Sequence, residues 1–253
     1  MAFRCRFGGR RGGPAVSESV LGSRTPTQKG NLSYRLVIIM LIPKSSPLPA
    51  ETIQRALGEF SLAVDLEQVL KIQQYMNMLL AWNEKLNLTA IRDPLDVLYR
   101  HFCESMYAIV AVPVEKGRLA DVGSGAGFPG LPMKILCPDL QVFLIESNVK
   151  KATFLAEVIR ELGLADVRVL VSRYEELGEE VAPLDYVCSR AVGEFGALLD
   201  WAGSRQVAAK TVILWIGGRD LEEIRRIKTW DWREPIPVPH SLRRLLLVGT
   251  KTA

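Results

Sequence analysis

The chain has 253 residues, a formal net charge of +4 and a hydrophobic fraction of 48%. These values are typical of a globular protein and suffice for one domain with a hydrophobic core. Four scattered cysteines without a C-x-x-C pair, and only two histidines, argue against a disulfide framework and against any metal site. We expect a protein of the reducing cytoplasm.

The charge is unevenly distributed along the chain. Residues 1–50 contain eight Lys or Arg and one Glu, a balance of +7, and the remaining residues have a balance of −3. A nucleic-acid partner must therefore be argued from a local basic patch and not from the global charge.

Residues 1–48 are predicted to be a disordered or non-native extension. Residues 1–35 are rich in Arg, Gly, Ser and Thr and have too few apolar side chains to offset the entropy of ordering. The apolar run at 36–43 is too short to span a bilayer, and no small-residue cleavage site follows it. We expect no membrane association and a natural start nearer Met40.

Residues 51–112 are predicted to form a small helical cap. A short helix covers 51–60, and Asp65 with Gln68 three residues later predicts a capping box at the start of a second helix. Asp93-Pro94 predicts a further helix through about Val110, because proline suits the first helical position. One apolar face of the second helix is formed by residues at helical spacing, namely Leu66, Val69, Leu70, Met76, Leu79 and Leu80.

Residues 117–253 alternate short apolar runs with helix-like segments. This alternation predicts an α/β domain whose parallel sheet is covered by helices on both faces. Two late runs, at about 231–238 and 243–250, predict a terminal antiparallel pair of strands.

The first strand of this domain ends in a glycine-rich turn, LADVGSGAGFPGLP at residues 119–132. Glycine costs backbone entropy, so three glycines at alternating positions, Gly123, Gly125 and Gly127, need a structural reason. In such a sheet, ligands bind at the carboxyl ends of the strands, and a helix N-terminus offers free N–H groups to an anion. A phosphate or an amino-acid carboxylate would suit this turn equally well.

The second strand ends at Glu146, 23 residues after Gly123, where a carboxylate can accept both hydroxyls of a ribose. A nucleoside with an amino-acid tail, such as S-adenosylmethionine, would use both features, and Asp121 could supply an acidic group. Tyr174 and Glu175 follow the third strand and could cover an adenine, and Arg190 ends the fourth strand and could bind phosphate or stack on a base. A dinucleotide and a purely structural turn remain as alternatives, since a lone G-x-G-x-x-G match is weak.

Four motifs in order resemble the bacterial 16S rRNA guanine-N7 methyltransferase family, which is also called glucose-inhibited division protein B. They are WNEKLNLTAIRDP with RHFCES, VGSGAGFPGLP, SRYEE and CSRA, within about residues 51–230. The resemblance implies a helical cap on a Rossmann-like sheet that uses S-adenosylmethionine. It implies that this cofactor is bound by Gly123, Gly125, Phe128, Glu146, Tyr174, Glu175 and Arg190.

The same resemblance implies an RNA side of the site. Its signature stretch contains Trp82, Asn83, Asn87, Arg92, Arg100 and His101. The residues expected to contact RNA are Arg92, Arg100, His101 and Arg190. The partner would be 16S rRNA or the 30S ribosomal subunit, and we expect a cytoplasmic monomer.

Two positions depart from the family pattern. Relatives usually have Asp where this chain has Glu104, and Lys before the glycine of the fifth strand where this chain has Ile216. A cation near the substrate is therefore missing, and Arg219 in the next turn is a candidate replacement.

Guanine N7 has a lone pair and no proton at neutral pH, so its methylation requires no general base. We therefore expect no catalytic acid or base, and catalysis through alignment, which can contribute about 7–11 kcal/mol. A small-molecule methyltransferase, a nicotinamide-dependent oxidoreductase and a non-catalytic relative that binds S-adenosylmethionine or RNA remain as alternatives. A basic rim of Arg92, Arg100, Lys150, Lys151 and Arg190 favours RNA over a small substrate.

Overall fold

The computed structural model describes residues 48–190 and 193–252. The predictions for residues 1–47, including the start near Met40, lie outside the described residues. Within the described part of the chain, no helix is long and apolar enough to cross a membrane.

The region before the sheet is helical. Asp65 caps the long helix: its side chain accepts from the Gln68 amide at 2.8 Å and the Gln68 side chain accepts from the Asp65 amide at 3.0 Å, which confirms the capping box. Asp93 likewise caps the helix that begins at Pro94. The helices are α1 (Ala50–Glu59), α2 (Leu66–Leu86), α3 (Pro94–Val97), α4 (Glu104–Met106) and α5 (Ala108–Ala111).

The helix predicted from Pro94 to about Val110 is interrupted. Between α3 and α4 the chain forms a wider π-helical turn, Leu98–Cys103, and Tyr107 separates α4 from α5. π-helical turns occur often at functional sites because they redirect side chains and backbone carbonyls. Periodicity alone could not show this turn, because its apolar residues still recur at close to helical spacing.

The second half is an α/β sheet with strand order β3-β2-β1-β4-β5-β8-β6, and β7 pairs with β8. The first five strands are parallel, and β6, β7 and β5 pair with β8 in antiparallel register, which confirms the predicted terminal pair. The strands are β1 (Lys116–Val122), β2 (Asp139–Ile145), β3 (Val167–Leu170), β4 (Tyr186–Ser189), β5 (Thr211–Gly217), β6 (Trp230–Trp232), β7 (Ile236–Pro237) and β8 (Arg244–Lys251).

Helices cover both faces of this sheet. They are α6 (Gly130–Leu136), α7 (Val149–Glu161), α8 (Phe195–Gly203) and α9 (Leu221–Arg225). Successive residues of β1 point to opposite faces, so Leu119 packs in one core and Ala120 in the other. The first core joins α1, α2, α6 and α7, and the second joins α8 and α9. The helical region thus shares a hydrophobic core with the sheet.

Candidate cofactor and RNA site

The three glycines of the turn after β1 all have positive φ, at 72° for Gly123, 58° for Gly125 and 95° for Gly127. A Cβ on Gly127 would overlap the Tyr75 hydroxyl and lie 2.6 Å from Cδ1 of Leu131, so close packing requires this glycine. A Cβ on Gly125 would meet nothing nearer than a backbone oxygen at 3.8 Å. The turn therefore exposes bare peptide surface at Gly125, where a ligand could approach.

Gly130 brings α6 close to β1 over a buried carboxylate. Its amide donates to Oδ2 of Asp121 at 2.9 Å, and an added Cβ would lie 2.8 Å from that oxygen. Asp121 is fully buried, and burial raises its pKa to about 7. Its Oδ1 has no hydrogen-bond partner among the described residues. Asp121 thus lies beneath the turn and does not project from the strand tip into solvent.

Glu146 lies at the end of β2 and reaches across to the glycine turn. Its Oε2 accepts from the Gly125 amide at 2.9 Å and its Oε1 accepts from the Asn148 amide at 2.8 Å. The residue is 7% exposed. A carboxylate has about four acceptor positions, so each oxygen retains the capacity for one further bond. Together with the open surface at Gly125, this arrangement fits a nucleoside with an amino-acid tail.

Phe128 is buried between two rings. Its ring stacks on Tyr75 at 5.4 Å and on His101 at 4.7 Å, with interplanar angles of 0° and 18°. The phenyl ring is therefore packed against protein side chains, and Phe128 is only 8% exposed. The Tyr75 hydroxyl donates to the Ala126 carbonyl in the same turn, so α2 braces the turn directly.

Arg190 joins the end of β4 to the π-helical turn. Its guanidinium donates to the carbonyls of Arg100 at 2.7 Å and His101 at 3.3 Å and to the Ser105 hydroxyl at 2.6 Å. It also pairs with Oε2 of Glu104 at 3.3 Å. Burial lowers the pKa of Arg190 to about 10, which leaves it charged at neutral pH. The side chain is 9% exposed, so most of its donors are used to hold the turn in place.

Glu104 is the centre of a buried cluster of charges. Its Oε2 accepts from Arg190 and from Nη1 of Arg244 on β8, and its backbone carbonyl accepts from Nε1 of Trp215 at 2.8 Å. The Glu104 side chain thus links β4, β8 and the helical region. This residue was recognised in the sequence only as a departure from the family pattern, because Arg244 is 140 residues away along the chain.

His101 connects this cluster to the stretch that follows α2. Its Nε2 lies 2.8 Å from the Thr89 hydroxyl, and the Thr89 amide donates to Oδ1 of Asn83 at 2.9 Å. Burial, followed by the charge of Arg190, lowers the pKa of His101 to about 3. The imidazole is therefore neutral at physiological pH.

Tyr174 and Glu175 form a 3₁₀ turn after β3, at the same carboxyl edge of the sheet. The Tyr174 ring packs edge-on against Trp201 of α8, with centroids 5.4 Å apart. Burial, followed by the charge of Glu175, raises the pKa of Tyr174 to about 12. Glu175 itself is exposed.

The structure brings Arg100, His101 and Arg190 together, and it places Arg92 in the exposed loop between α2 and α3. Lys150 is exposed at the start of α7. Ile216 is 2% exposed and packs in the core beneath α8 and α9, while Arg219 lies exposed in the next turn. The position where the family resemblance implies a Lys is therefore a buried, apolar position in this chain.

Sequence reasoning missed the residues that support the site from other elements. Four of them are Tyr75, Thr89, Ser105 and Arg244. Tyr75 lies on the apolar face of α2, where a pattern counts it as an ordinary core residue. The sequence signal that could have indicated the role of Ser105 is its spacing. It lies four residues after His101, so in a helix its hydroxyl can reach the backbone of His101.

The parallel sheet, its antiparallel last strands and the glycine turn opposite Glu146 define a Rossmann-like fold of the S-adenosylmethionine-dependent methyltransferase class. Residues 68–230 match the sequence model of the family that is described as rRNA small subunit methyltransferase G. The chain belongs to this family, and its cofactor is S-adenosylmethionine.

Individual relatives cover most of the chain. It is 40% identical over 209 residues to ribosomal RNA small subunit methyltransferase G of Xylella fastidiosa (strain 9a5c), covering 81% of this chain and 97% of the relative. It is 38% identical over 201 residues to the protein of the same name from Pelotomaculum thermopropionicum, covering 71% and 84%.

Among solved structures, ribosomal protein L11 methylase from Lactobacillus delbrueckii subsp. bulgaricus overlaps with a TM-score of 0.49 and 17% identity. The overlap covers 61% of this chain and 80% of the other. Because that score is below 0.5, the family assignment rests on the sequence relatives.

Proposed function

We propose that the protein transfers the methyl group of S-adenosylmethionine to N7 of a guanine in 16S rRNA. The observation that carries the proposal is the pairing of Gly125 with Glu146 at the carboxyl edge of the sheet. There an open peptide surface lies beside a carboxylate with free acceptor capacity. The names of the relatives, which specify small-subunit ribosomal RNA, support the substrate class.

Different residues of the site would bind different parts of the cofactor. Glu146 would accept the ribose hydroxyls, and the peptide surface around Gly123 and Gly125 would receive the amino-acid end. Tyr174 and Glu175 would cover and hydrogen-bond the adenine from the end of β3. Phe128 would contribute through its backbone and the shape of the turn, because its ring is already packed against Tyr75 and His101.

On the RNA side, Arg190 would act chiefly by holding the π-helical turn. Its bonds to the carbonyls of Arg100 and His101 fix the backbone from which both side chains project. Exposed Arg100 and Arg92 would then bind phosphate. A direct contact of Arg190 with RNA or with the cofactor stays a prediction.

The proposed methyl transfer requires these side chains mainly to align the guanine with the methyl group. S-adenosylmethionine supplies an electrophilic methyl group on a sulfonium. Guanine N7 would form the new bond to the methyl carbon with its own lone pair while the carbon–sulfur bond breaks, and the sulfur would leave as the neutral thioether S-adenosylhomocysteine. N7 has no proton to lose, so a side chain that accepts a proton would not be needed. Neutral His101 accordingly serves to pack against Phe128 and to shape the site. The guanine must be unstacked from its neighbours and held in line with the methyl group.

We further propose that residues 51–112 act as a cap on the methyltransferase sheet of residues 117–253. The shared core between them supports a cap that is fixed in place. The substrate class implies action in the cytoplasm, and we propose that the protein acts as a monomer on 16S rRNA or on the 30S subunit.

The test is transfer of tritiated methyl groups to 30S subunits that lack the modification, followed by mapping of the modified base. N7-methylguanine in RNA becomes cleavable after reduction and aniline treatment, which separates it from methylation at other atoms. We expect one cleavable guanine in 16S rRNA. Calorimetry with S-adenosylhomocysteine and with NADH provides the cofactor readout, and we expect heat only from the former.

Other results would contradict the proposal. Incorporation that is not cleavable by aniline would place the methyl on another atom. Binding of S-adenosylhomocysteine without any incorporation would indicate a non-catalytic relative. The apolar Ile216 favours this alternative, because it stands where the family pattern has a cation near the substrate. Incorporation that resists ribonuclease would indicate a substrate other than RNA.

A further inference from the structure

The turn between β7 and β8, residues 238–244, presents an apolar and a basic side chain to solvent. Leu242 has a relative exposure of 104%, the highest of the large hydrophobic side chains in the described part of the chain. Arg243, next to it, is also exposed. A single exposed leucine is ordinary on a protein surface, so whether Leu242 has a binding role must be judged from the residues around it.

Hydrogen bonds within the turn hold it in one conformation. The Val238 amide donates to the Arg244 carbonyl at 3.1 Å, and the Ser241 amide donates to the Val238 carbonyl at 3.2 Å. The Ser241 hydroxyl accepts from the Arg244 amide at 3.1 Å. Val238 is 2% exposed and anchors the base of the turn in the core. Leu242 is therefore presented by an ordered turn.

A second anchor joins the turn to the helical region. His240 has a positive φ of 57°, and its ring lies 5.4 Å from the ring of Phe60 at the end of α1. Its Nε2 is 3.1 Å from Oε2 of Glu59. These contacts fix the direction in which the following residues leave the protein.

The turn borders a cleft of about 420 Å³ at the carboxyl ends of β4 and β5. Three arginines line it, Arg190, Arg243 and Arg244, together with the rings of Phe195 and Trp215. Asp220 is the acidic residue in this lining, and its carboxylate already accepts from the Gly217 amide at 3.0 Å. Because Arg190 and Arg244 share the carboxylate of Glu104, the positive charge that this partly aromatic cleft offers to a ligand comes chiefly from Arg243. Strand β4 lies beside β1 and its glycine turn.

We propose that this turn and the adjoining cleft bind the RNA strand next to the target guanine, with Leu242 packed against a base step and Arg243 paired with a phosphate. The inference rests on the proposed function and specifies how its substrate is held. Apolar side chains on ordered elements can wedge between bases, and arginines beside them neutralise the backbone. A wedge of this kind would help to unstack the guanine.

Charge favours RNA over a protein partner at this surface. A stable protein interface buries about 800 Å² on each side, and its centre is depleted in charged residues. Leu242 stands alone and is followed by two arginines, which matches a phosphate backbone better than an apolar partner surface.

The experiment compares two variants of the full-length chain, Leu242→Ala and Arg243→Gln, with matched controls. Leu70→Ala removes an exposed leucine of α2, and Arg168→Gln removes an exposed arginine of β3 at the opposite edge of the sheet. The readouts are the KM for protein-free 16S rRNA, its dependence on salt, and the Kd for S-adenosylhomocysteine.

We expect Leu242→Ala to raise the KM for RNA on the order of tenfold. Arg243→Gln should weaken RNA binding and flatten the slope of log affinity against log salt by about 0.7, the value for one phosphate on a single strand. Neither variant should change the Kd for S-adenosylhomocysteine, and neither control should change the KM.

Two results would overturn the inference. If the wild-type protein methylates RNA and both turn variants keep its KM and salt slope, the turn does not bind RNA. If the variants lose activity only on assembled 30S subunits and not on protein-free rRNA, the turn faces a ribosomal protein. Absence of methylation by the wild-type protein would instead contradict the proposed function, so the two failures are distinguishable.

Discussion

Gly127→Ala should destabilise the protein substantially, for two separate reasons. The residue has φ of 95°, and an L-residue in the positive region costs about 1–2 kcal/mol. The new Cβ would also overlap the Tyr75 hydroxyl and Cδ1 of Leu131, and overpacking of this kind costs about 1–3 kcal/mol. The sum is about 2–5 kcal/mol, or a fall in Tm of roughly 5–15 °C for a chain of this length.

Gly125→Ala is the matched control, because it imposes a similar backbone cost without the overlap. Its φ is 58°, and its Cβ would have no neighbour within 3.4 Å. We expect a loss of about 1–2 kcal/mol for this variant. Its added methyl would project onto the surface where the cofactor is expected, so its affinity for S-adenosylhomocysteine should fall.

The assay is unfolding in guanidinium chloride, followed by calorimetry with S-adenosylhomocysteine on both variants. Equal denaturation midpoints for the two variants would mean that Tyr75 and Leu131 move to accommodate the new Cβ at no cost in the free energy of unfolding. The distinction between a packing glycine and a ligand-facing glycine would then be wrong.

Three further predictions concern the charged residues. Glu104→Gln leaves Arg190 and Arg244 facing each other without a carboxylate, which should cost about 3 kcal/mol in the free energy of unfolding, measured by denaturant titration. The pKa of His101 in the folded protein, about 3, lies below its unfolded value near 6.5, so the unfolded state binds the extra proton. Stability should therefore fall as pH decreases from 6.5 toward 3, and His101→Gln should reduce this fall, by up to about 1.4 kcal/mol per pH unit. If Arg219 replaces the missing lysine, Arg219→Ala should lower RNA methylation and leave the Kd for S-adenosylhomocysteine unchanged.

An exposed glutamate, Glu175, provides the control for Glu104→Gln. Glu175→Gln should change stability by less than about 0.5 kcal/mol, and a similar small effect of Glu104→Gln would show that the buried cluster does not depend on its carboxylate. If His101→Gln loses as much stability between pH 6.5 and pH 3 as the wild-type protein does, neutral burial of His101 would be contradicted. Unchanged methylation by Arg219→Ala would refute the replacement idea.

Local patterns in the sequence were sufficient for most of the helices and strands, although not for the interruption of the helix predicted from Pro94 to about Val110. Strand and helix periods depend on which residues alternate, and caps such as Asp65 with Gln68 depend on neighbours three residues apart. The glycine turn and Glu146 could also be predicted, because the carboxyl ends of parallel strands meet at one edge. The fold class followed from these local features, whereas the choice of S-adenosylmethionine over a dinucleotide followed from the family resemblance.

Contacts between distant segments decided the rest. The role of each glycine depends on what faces it: Tyr75 from α2 makes Gly127 a packing residue, and open space beside Gly125 leaves room for the ligand that we propose there. Arg190 reads as a free cation in the sequence, yet its donors are used by backbone about 90 residues earlier in the chain. Leu242 lies just before the strand predicted at about 243–250, and nothing in the sequence showed that it would be fully exposed. Burial and partner identity depend on chain segments that sequence spacing does not bring together, so only the tertiary structure determined them.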